Sequence, residues 1–272
     1  MNKILSVVIP LYNKKQTVCR AVSSVLNQTY RDFELIIVDD GSVDGSIDIV
    51  KSNFDDCRIR YISQDNLGVS SARNNGVKNS VGEWVFFLDA DDIWLPSYLA
   101  EMYGVIERNP DANMVGCASF GAYIYSSLVH TDRMIDKFYN KESRVNFFEN
   151  MDIMSHIGAT GIKKDSFWAV GGFDLKISNN EDILLMAKLA LGNNYFYLGK
   201  MLHVYMLDVP GQVTKNPAKK TIHMKDVLFV MNTIYEYSLQ YDNDYVKSAL
   251  QFRFHDYILR FLKTKDYYMI KY

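Results

Sequence analysis

The sequence lacks most of the features that would mark a specialised class of protein. Its cysteines, Cys19, Cys57 and Cys117, are widely spaced without a C-x-x-C pair, so neither a disulfide framework nor a zinc knuckle is indicated. No apolar run approaches the roughly 18 residues that cross a bilayer. The net charge of −2 gives no overall basic surface, so we expect no nucleic-acid partner. These absences favour an ordinary globular protein of the reducing cytoplasm.

Apolar strands and amphipathic segments alternate over the first part of this 272-residue chain. Residues 1–10, 34–38, 58–62 and 84–88 predict strands. The stripe Val18, Ala21, Val22 and Val25 predicts a helix packed on a sheet. The pattern predicts an α/β fold with a mainly parallel central sheet and helices on both faces. Later residues are less regular: 158–174 are expected to be rich in loops, 183–191 to be a helix, and the chain after 217 to be helical.

Carboxylates follow two of the predicted strands directly. Asp39-Asp40 ends one strand, and Asp89-Ala90-Asp91-Asp92 ends another. Ligands of open parallel sheets bind outside the carboxyl ends of the strands, so both segments can face one pocket. Mg²⁺ and Mn²⁺ take one or two protein carboxylates and keep their other positions for water and phosphate oxygens. The pattern favours a metal and diphosphate site, although acidic residues after a strand also cap the next helix.

Short motifs follow one another along residues 4 to 215. They are Ser6–Asn13, Ser24–Thr29, Val38–Ser42, Gly68–Asn74, Asp89–Asp92, Gly171–Asp174 and Glu181-Asp182. In content and order they resemble the motifs of the inverting family 2 glycosyltransferases, which have the Rossmann-like GT-A fold. The resemblance implies three parts: residues 1–110 as the nucleotide-sugar-binding half of the GT-A domain, 111–215 as its acceptor-binding half, and 216–272 as a C-terminal helical extension.

The resemblance also implies an activity. A family member of this kind transfers a sugar from a nucleotide diphosphate donor, usually a UDP-sugar, to a hydroxyl of a glycan or lipid-linked oligosaccharide in surface polysaccharide synthesis. The transfer is a single displacement with inversion, assisted by Mn²⁺ or Mg²⁺. The sequence has no readable code for the donor sugar, the acceptor or the linkage.

On the donor side, the resemblance assigns a role to each matching residue. Asp40 is expected to accept a hydrogen bond from uracil N3–H, while Asp39 either faces the other way or braces the loop. Arg73 is expected near the base or the diphosphate. Asp91 matches the metal ligand and Asp89 the carboxylate that faces the ribose. The full nucleotide-binding set implied is Pro10, Tyr12, Asn13, Asp39, Asp40, Arg73, Asp89 and Ala90.

On the acceptor side, Asp182 matches the catalytic base of the family, and Glu181 is expected to orient the acceptor. A sugar hydroxyl attacks poorly until a base takes its proton. Taken alone, the pair is also what the first turn of any helix favours. Many relatives carry an Arg or His diphosphate contact after the next strand, but residues 205–214 lack one here, and Asp208 or the lysines at 215, 219 and 220 are its possible replacements.

Two interpretations remain open at the C-terminus. Residues 245–272 carry six Lys or Arg against two Asp and an apolar helical stripe, which fits either a membrane-surface helix or a helical cap on the catalytic domain. The first would place the protein on the inner face of the membrane. For the chain as a whole, the rival functions are a non-catalytic nucleotide-sugar-binding partner and a sugar nucleotidyltransferase. The second rival should have a Gly-rich phosphate loop after the first strand, where Pro10–Lys14 stand instead.

Overall fold

The computed structural model describes residues 4–123, 126–131, 138–150, 156–177, 179–192, 194–207, 229–230, 232–236 and 239. The strands are β1 Leu5–Leu11, β2 Phe33–Asp39, β3 Ile59–Ser63, β4 Trp84–Phe87, β5 Ile93–Trp94, β6 Met114–Tyr123, β7 Ser126–Thr131, β8 Glu142–Arg144, β9 Thr160–Lys163 and β10 Tyr195–Leu207. The helices are α1 Val18–Leu26, α2 Ser46–Asn53, α3 Val69–Asn79, α4 Tyr98–Arg108, α5 Lys164–Ala169 and α6 Glu181–Ala190.

One sheet runs through the whole described domain in the order β3-β2-β1-β4-β9-β6-β10-β5, with β7 and β8 added beside β6 and β10. Strands β1 to β4 are mutually parallel, and β6 is parallel to β10. Strand β9 is antiparallel to both of its neighbours, so β4 and β6 point the same way. The carboxyl ends of β1, β2 and β4 therefore meet at one edge. The predicted α/β fold with a mainly parallel sheet is confirmed.

Helices cover both faces of this sheet and form two apolar clusters. On one face α1, α2 and α4 pack against β1, β2 and β4, and the buried stripe of α1 is the predicted set Val18, Ala21, Val22 and Val25. On the other face α3, α5 and α6 pack over the sheet. A sheet buried on both faces explains why its strands read as continuous apolar runs.

The expectation of loops through 158–174 is wrong, because β9 and α5 lie there. The glycine that suggested a loop is instead required inside the sheet. A Cβ on Gly161 would lie 2.2 Å from Cε1 of Phe86, its neighbour on β4, so only glycine fits between the strands.

Part of the chain beyond residue 216 also packs on the domain. Residues 229–230 and 232–236 are helical, and Val230 and Ile234 are buried in the apolar cluster of α3 and α6. The segment 245–272, with its membrane and cap interpretations, lies outside the described residues, as do Asp208 and the lysines at 215, 219 and 220. Among the described residues, no helix combines the length and apolarity needed to span a membrane.

Candidate active site

The loops that follow β1 and β2 are bound together at the carboxyl edge of the sheet. Asn13 adopts a left-handed conformation, with φ of 50°. Its N–H donates to Ser42 Oγ at 3.1 Å, and its Oδ1 accepts the N–H of Val43 at 2.9 Å. These contacts fix the ends of two strands relative to each other. Pro10 is buried in β1 beside Val38, whereas Tyr12 is 45% exposed at the rim.

The neighbours Asp39 and Asp40 are both buried but have different hydrogen bonds. Asp40 accepts the N–H groups of Leu67 and Gly68, each at 2.9 Å, and the amide of Gln64 at 2.8 Å. It therefore fixes the loop that leads into α3. Asp39 Oδ1 accepts the N–H of Ser42 at 3.1 Å, and its Oδ2 has no hydrogen-bond partner within the described part of the chain. Asp39 therefore braces the loop after β2, and Asp40 fixes the loop before α3.

The segment Asp89 to Asp92 forms a turn rather than a continuation of β4. The N–H of Asp92 donates to the carbonyl of Asp89 at 3.0 Å, and the guanidinium of Arg20 donates to the carbonyl of Asp91 at 3.2 Å. Ala90 is 3% exposed and closes the turn against the core. Because the turn breaks the strand alternation, Asp89 and Asp91 point to different partners.

Arg73 joins the donor-side turn to the predicted catalytic pair. It lies on α3 and is 4% exposed, so it is not a solvated helix arginine. One nitrogen donates to Asp89 Oδ1 at 2.7 Å and another donates to Glu181 Oε1 at 2.8 Å. Burial alone would raise the pKa of Asp89, but the charge and hydrogen bond of Arg73 outweigh it and hold that pKa below its usual range.

The Gly171–Asp174 motif packs against Arg73. The guanidinium of Arg73 lies 5.1 Å from the centre of the Phe173 ring. The next residue on α3, Asn74, accepts the N–H of Phe173 at 3.0 Å and donates to its carbonyl at 2.8 Å. Two sequence motifs that are about a hundred residues apart thus hold one arginine in place.

Asp182 lies in the first turn of α6, beside Glu181. Its Oδ1 accepts the N–H of Ile183 at 2.8 Å. Burial and the negative charge of Glu181 raise the pKa of Asp182 to about 7, although the positive charge of Arg73 opposes the shift. A carboxylate with a pKa near the working pH is suited to accept and release protons.

A buried network anchors the acidic turn to β10. Asp92 Oδ1 accepts the N–H of Met206 at 2.9 Å, and its Oδ2 lies 3.2 Å from Nε2 of His203. The other ring nitrogen of His203 lies 2.9 Å from Ser119 Oγ on β6. Asp92 supports the loop through these contacts, and His203 is a hydrogen-bonded strand histidine.

No sequence motif marks Lys14 as a site residue. Its ammonium lies 2.6 Å from Asp91 Oδ2, and the two side chains are only 20% and 15% exposed. The partners are 77 residues apart, so no local pattern could have related them. A cation already lies on the carboxylate that the family resemblance assigns to a metal.

The residues of the turn fit a divalent ion that takes few of its oxygen ligands from the protein and the rest from phosphate and water. Within the described ranges, no three His, Cys, Asp or Glu side chains cluster in a way that would hold a metal by themselves. Both oxygens of Asp92 accept hydrogen bonds, whereas Asp89 and Asp91 each have one oxygen outside the ion pair with Arg73 or Lys14, so these two carboxylates can offer hard oxygen donors to an ion. Mg²⁺ and Mn²⁺ bind in this manner when phosphate oxygens and water supply their remaining positions.

Comparison with known sequences decides the family. A sequence model described as glycosyl transferase family 2 matches residues 6–171, which is more than half of the chain. The chain belongs to glycosyl transferase family 2. The family predicted from the motifs is confirmed.

Relatives of this family 2 member are found in several bacteria. Glycosyltransferase GlyA of Streptococcus pneumoniae serotype 4 is 29% identical over 229 residues, which cover 80% of this chain and 32% of GlyA. A glycosyltransferase of Haemophilus influenzae is 30% identical over 186 residues, covering 68% of this chain and 62% of that protein. The chain thus spans about a third of the length of GlyA.

Solved structures share the fold. Residues 1–349 of TarS from S. aureus, in complex with UDP-GlcNAc, align with a TM-score of 0.75 and 18% identity over 90% of this chain and 70% of theirs. The mannosyltransferase PcManGT of Pyrobaculum calidifontis, in complex with GDP-Man and Mn²⁺, aligns with a TM-score of 0.62 and 17% identity over 91% of this chain and 72% of its own. This family 2 chain therefore has the GT-A fold of these enzymes.

Proposed function

We propose that this family 2 chain is an inverting glycosyltransferase that transfers a sugar from a UDP-sugar to a hydroxyl of a glycan or lipid-linked acceptor in polysaccharide synthesis. The observation that carries the proposal is the ion-pair chain from Asp89 through Arg73 to Glu181, beside Asp182. It connects the turn at the end of β4 with a carboxylate whose pKa is about 7. Donor and base residues thus belong to one structural unit.

The carboxyl ends of β1, β2 and β4 would bind the nucleotide. Pro10, Tyr12 and Asn13 form one wall of this pocket. A uracil N3–H needs an acceptor with a free lone pair, and Asp40 would supply it, as the family resemblance implies. Oδ2 of Asp39 is the alternative acceptor, because Asp40 already accepts three hydrogen bonds. UDP and UDP-GlcNAc in the TarS complexes support a uridine donor, whereas the GDP-Man of PcManGT keeps guanosine as the alternative.

Asp91 would hold Mn²⁺ or Mg²⁺ together with the donor diphosphate. When bound there, such an ion stabilises the negative charge that develops on the leaving diphosphate. Asp89 would meet the ribose with the oxygen that Arg73 leaves free. The buried contacts of Asp92 keep the turn in place while ligands come and go.

Asp182 would take the proton of the acceptor hydroxyl as that oxygen attacks the anomeric carbon. Glu181 has one oxygen engaged by Arg73, and its role is to orient the acceptor and to keep the pKa of Asp182 high. With Asp182 acting as a base and neither carboxylate acting as a nucleophile towards the sugar, the reaction would be one in-line displacement. The sugar in the product should therefore have the opposite anomeric configuration to the sugar in the donor.

A donor screen tests this function. Purified protein is incubated with a panel of UDP- and GDP-sugars and glycan acceptors, with Mn²⁺ or Mg²⁺, and nucleotide release is measured. We expect one preferred donor, metal-dependent release and an inverted product by NMR. Tight nucleotide binding without release from any donor and acceptor pair would favour the non-catalytic nucleotide-sugar-binding partner. Retention of configuration would contradict the displacement mechanism.

We also propose that residues 245–272 attach the enzyme to the inner face of the membrane, near a lipid-linked acceptor. Their net positive charge and apolar stripe support this location. Binding to anionic vesicles should then weaken as salt shortens the Debye length from about 10 Å at 0.1 M to about 3 Å at 1 M. Equal sedimentation with neutral and anionic vesicles would contradict the proposal.

A further inference from the structure

Lys14 lies on the loop between β1 and α1, and it neutralises the carboxylate proposed to hold the metal ion. Its Nζ lies 2.6 Å from Asp91 Oδ2, and both side chains are largely covered by protein. The charge of Lys14 also helps to lower the pKa of Asp89, after the larger effects of burial, which raises that pKa, and of Arg73 and His203, which lower it. The structure thus places an internal cation beside the carboxylate proposed to hold the metal ion.

The backbone of Lys14 is fixed while its side chain can change partner. Its N–H donates to Ser46 Oγ at 2.9 Å, and its carbonyl accepts the N–H groups of Thr17 and Val18 at 3.0 and 2.9 Å. Among the described residues, Asp91 is the hydrogen-bond partner of its ammonium group. A lysine has a flexible four-carbon stem and three rotatable donors, so it can exchange one anion for another without movement of the loop.

The neighbouring cations do not have this freedom. Arg73 is 4% exposed and is bound to Asp89 and Glu181 at the same time. Arg20 donates to the backbone carbonyl of Asp91, which supports the turn rather than the carboxylate. Within the described site, Lys14 is the cation that an incoming anion could recruit.

We propose that Lys14 couples metal binding to nucleotide binding: it covers Asp91 until a nucleoside diphosphate binds with the ion, and then moves to the diphosphate oxygens. This inference rests on the proposed function. An ion that binds alone must separate Lys14 from Asp91 and leave the ammonium without an anion. Together with a diphosphate, the ion has further oxygen ligands, and Lys14 gains a phosphate as its new partner. Lys14 should therefore weaken binding of the ion alone and strengthen binding of the ion with the diphosphate.

A binding cycle tests the coupling. The affinity for Mn²⁺ is measured by EPR of the free ion, without and with saturating UDP, for wild type, Lys14→Met, Lys14→Arg and Lys15→Ala. The ratio of the two affinities is the coupling factor. In Lys14→Met, Mn²⁺ alone should bind more tightly than in wild type and Mn²⁺ with UDP less tightly, so the coupling factor falls by about 10- to 100-fold. Lys14→Arg should keep most of the coupling factor. Lys15 is the exposed neighbour, and Lys15→Ala should keep all of the coupling factor.

The outcomes separate this inference from the function on which it rests. If wild type binds no UDP in the presence of Mn²⁺, the proposed function fails. If wild type shows coupling and Lys14→Met shows the same coupling, only the inference about Lys14 is overturned. Uridine, which has no diphosphate, should bind wild type and Lys14→Met equally. A loss of uridine affinity as large as that for UDP would also overturn it, because the variant would then have damaged the pocket as a whole.

Discussion

At the scale of single residues, the environment of Asp182 separates it from an ordinary helix-start aspartate. Carboxylates are common in the first turn of helices, so the local pattern predicts no chemistry, and the expected role came only from the order of motifs in the family. The structure adds the burial and the neighbouring charges of Asp182, which no local sequence pattern contains. Burial and Glu181 raise the pKa of Asp182 to about 7, a value that only the folded chain can produce.

Asp182→Asn should keep UDP affinity and lower kcat by roughly 10² to 10⁴, since the amide cannot accept the proton. In wild type, kcat/KM should rise with pH up to a plateau above about 7, as Asp182 ionises. Steady-state kinetics over pH 5 to 9 measure both quantities. An equal loss of binding and turnover would point to a structural role at the helix start.

The same substitution should change stability in a pH-dependent direction. The pKa of Asp182 is about 7 in the folded protein and about 3.9 in an unfolded chain. Between these values the folded state holds a proton that the unfolded state has lost, so this carboxyl contributes less stability as the pH rises. Asp182→Asn should therefore gain melting temperature relative to wild type between pH 5 and pH 8. A difference in melting temperature between Asp182→Asn and wild type that stays constant with pH would contradict the raised pKa of Asp182.

Arg73→Met should destabilise the fold because it leaves Glu181 and Asp89 without their cation. Removing one partner of a buried ion pair costs about 3–5 kcal/mol, and we expect the lower end because the Asp89 side chain is 35% exposed. Thermal melts check this. The matched control is Lys163→Met, whose 3.5 Å pair with Glu83 lies at the surface and should contribute about 1 kcal/mol or less. Equal melting temperatures for the two variants would show that the ion pairs of Arg73 with Asp89 and Glu181 do not stabilise the fold.

At the scale of elements, the sequence predicted the strands and helices that have a regular local pattern of apolar residues. The alternation of apolar runs and helical stripes placed β1 to β4 and the helices between them. It did not place β5, which has two residues, or β9, whose glycine resembles a loop. It also could not show the contact between Asp92 and His203, because the two residues are 111 positions apart and meet only when β10 joins the sheet.

Helix α3 depends on a close approach to β1. A Cβ on Gly76 would lie 2.3 Å from Cγ1 of Val8, which is fully buried. Gly76→Ala should therefore lower the free energy of unfolding by about 1–3 kcal/mol through overpacking, despite the better helix propensity of alanine. It should also weaken UDP binding, since Arg73 lies one turn earlier on α3.

Two controls separate overpacking from helix propensity. Lys78→Ala changes an exposed position of the same helix and should leave stability within about 0.5 kcal/mol of wild type. In the double variant with Val8→Ala, the space that opens should make the total loss smaller than the sum of the single losses. Additive losses in denaturant unfolding would show that α3 does not rest on Val8.

At the scale of the whole molecule, the helical residues 229–230 and 232–236 belong to the same apolar core as the sheet and its helices. Ile234 is fully buried in the cluster of α3 and α6. Ile234→Ala should cost about 2–5 kcal/mol and leave a single unfolding transition. The control is Glu236→Ala, an exposed change on the same helical turn. An unchanged main transition, with a separate early one, would mean that this segment unfolds independently of the glycosyltransferase domain.

In the proposed function, the turn after β4 holds a metal ion with a nucleotide diphosphate in the same site as the base on α6. Calorimetric titration of UDP, with and without Mn²⁺, tests it most directly in wild type, Asp91→Ala and Asp182→Asn. We predict that Mn²⁺ strengthens UDP binding in wild type and in Asp182→Asn but not in Asp91→Ala, whose melting temperature stays near that of wild type. Unchanged metal-dependent UDP affinity in Asp91→Ala would contradict the account.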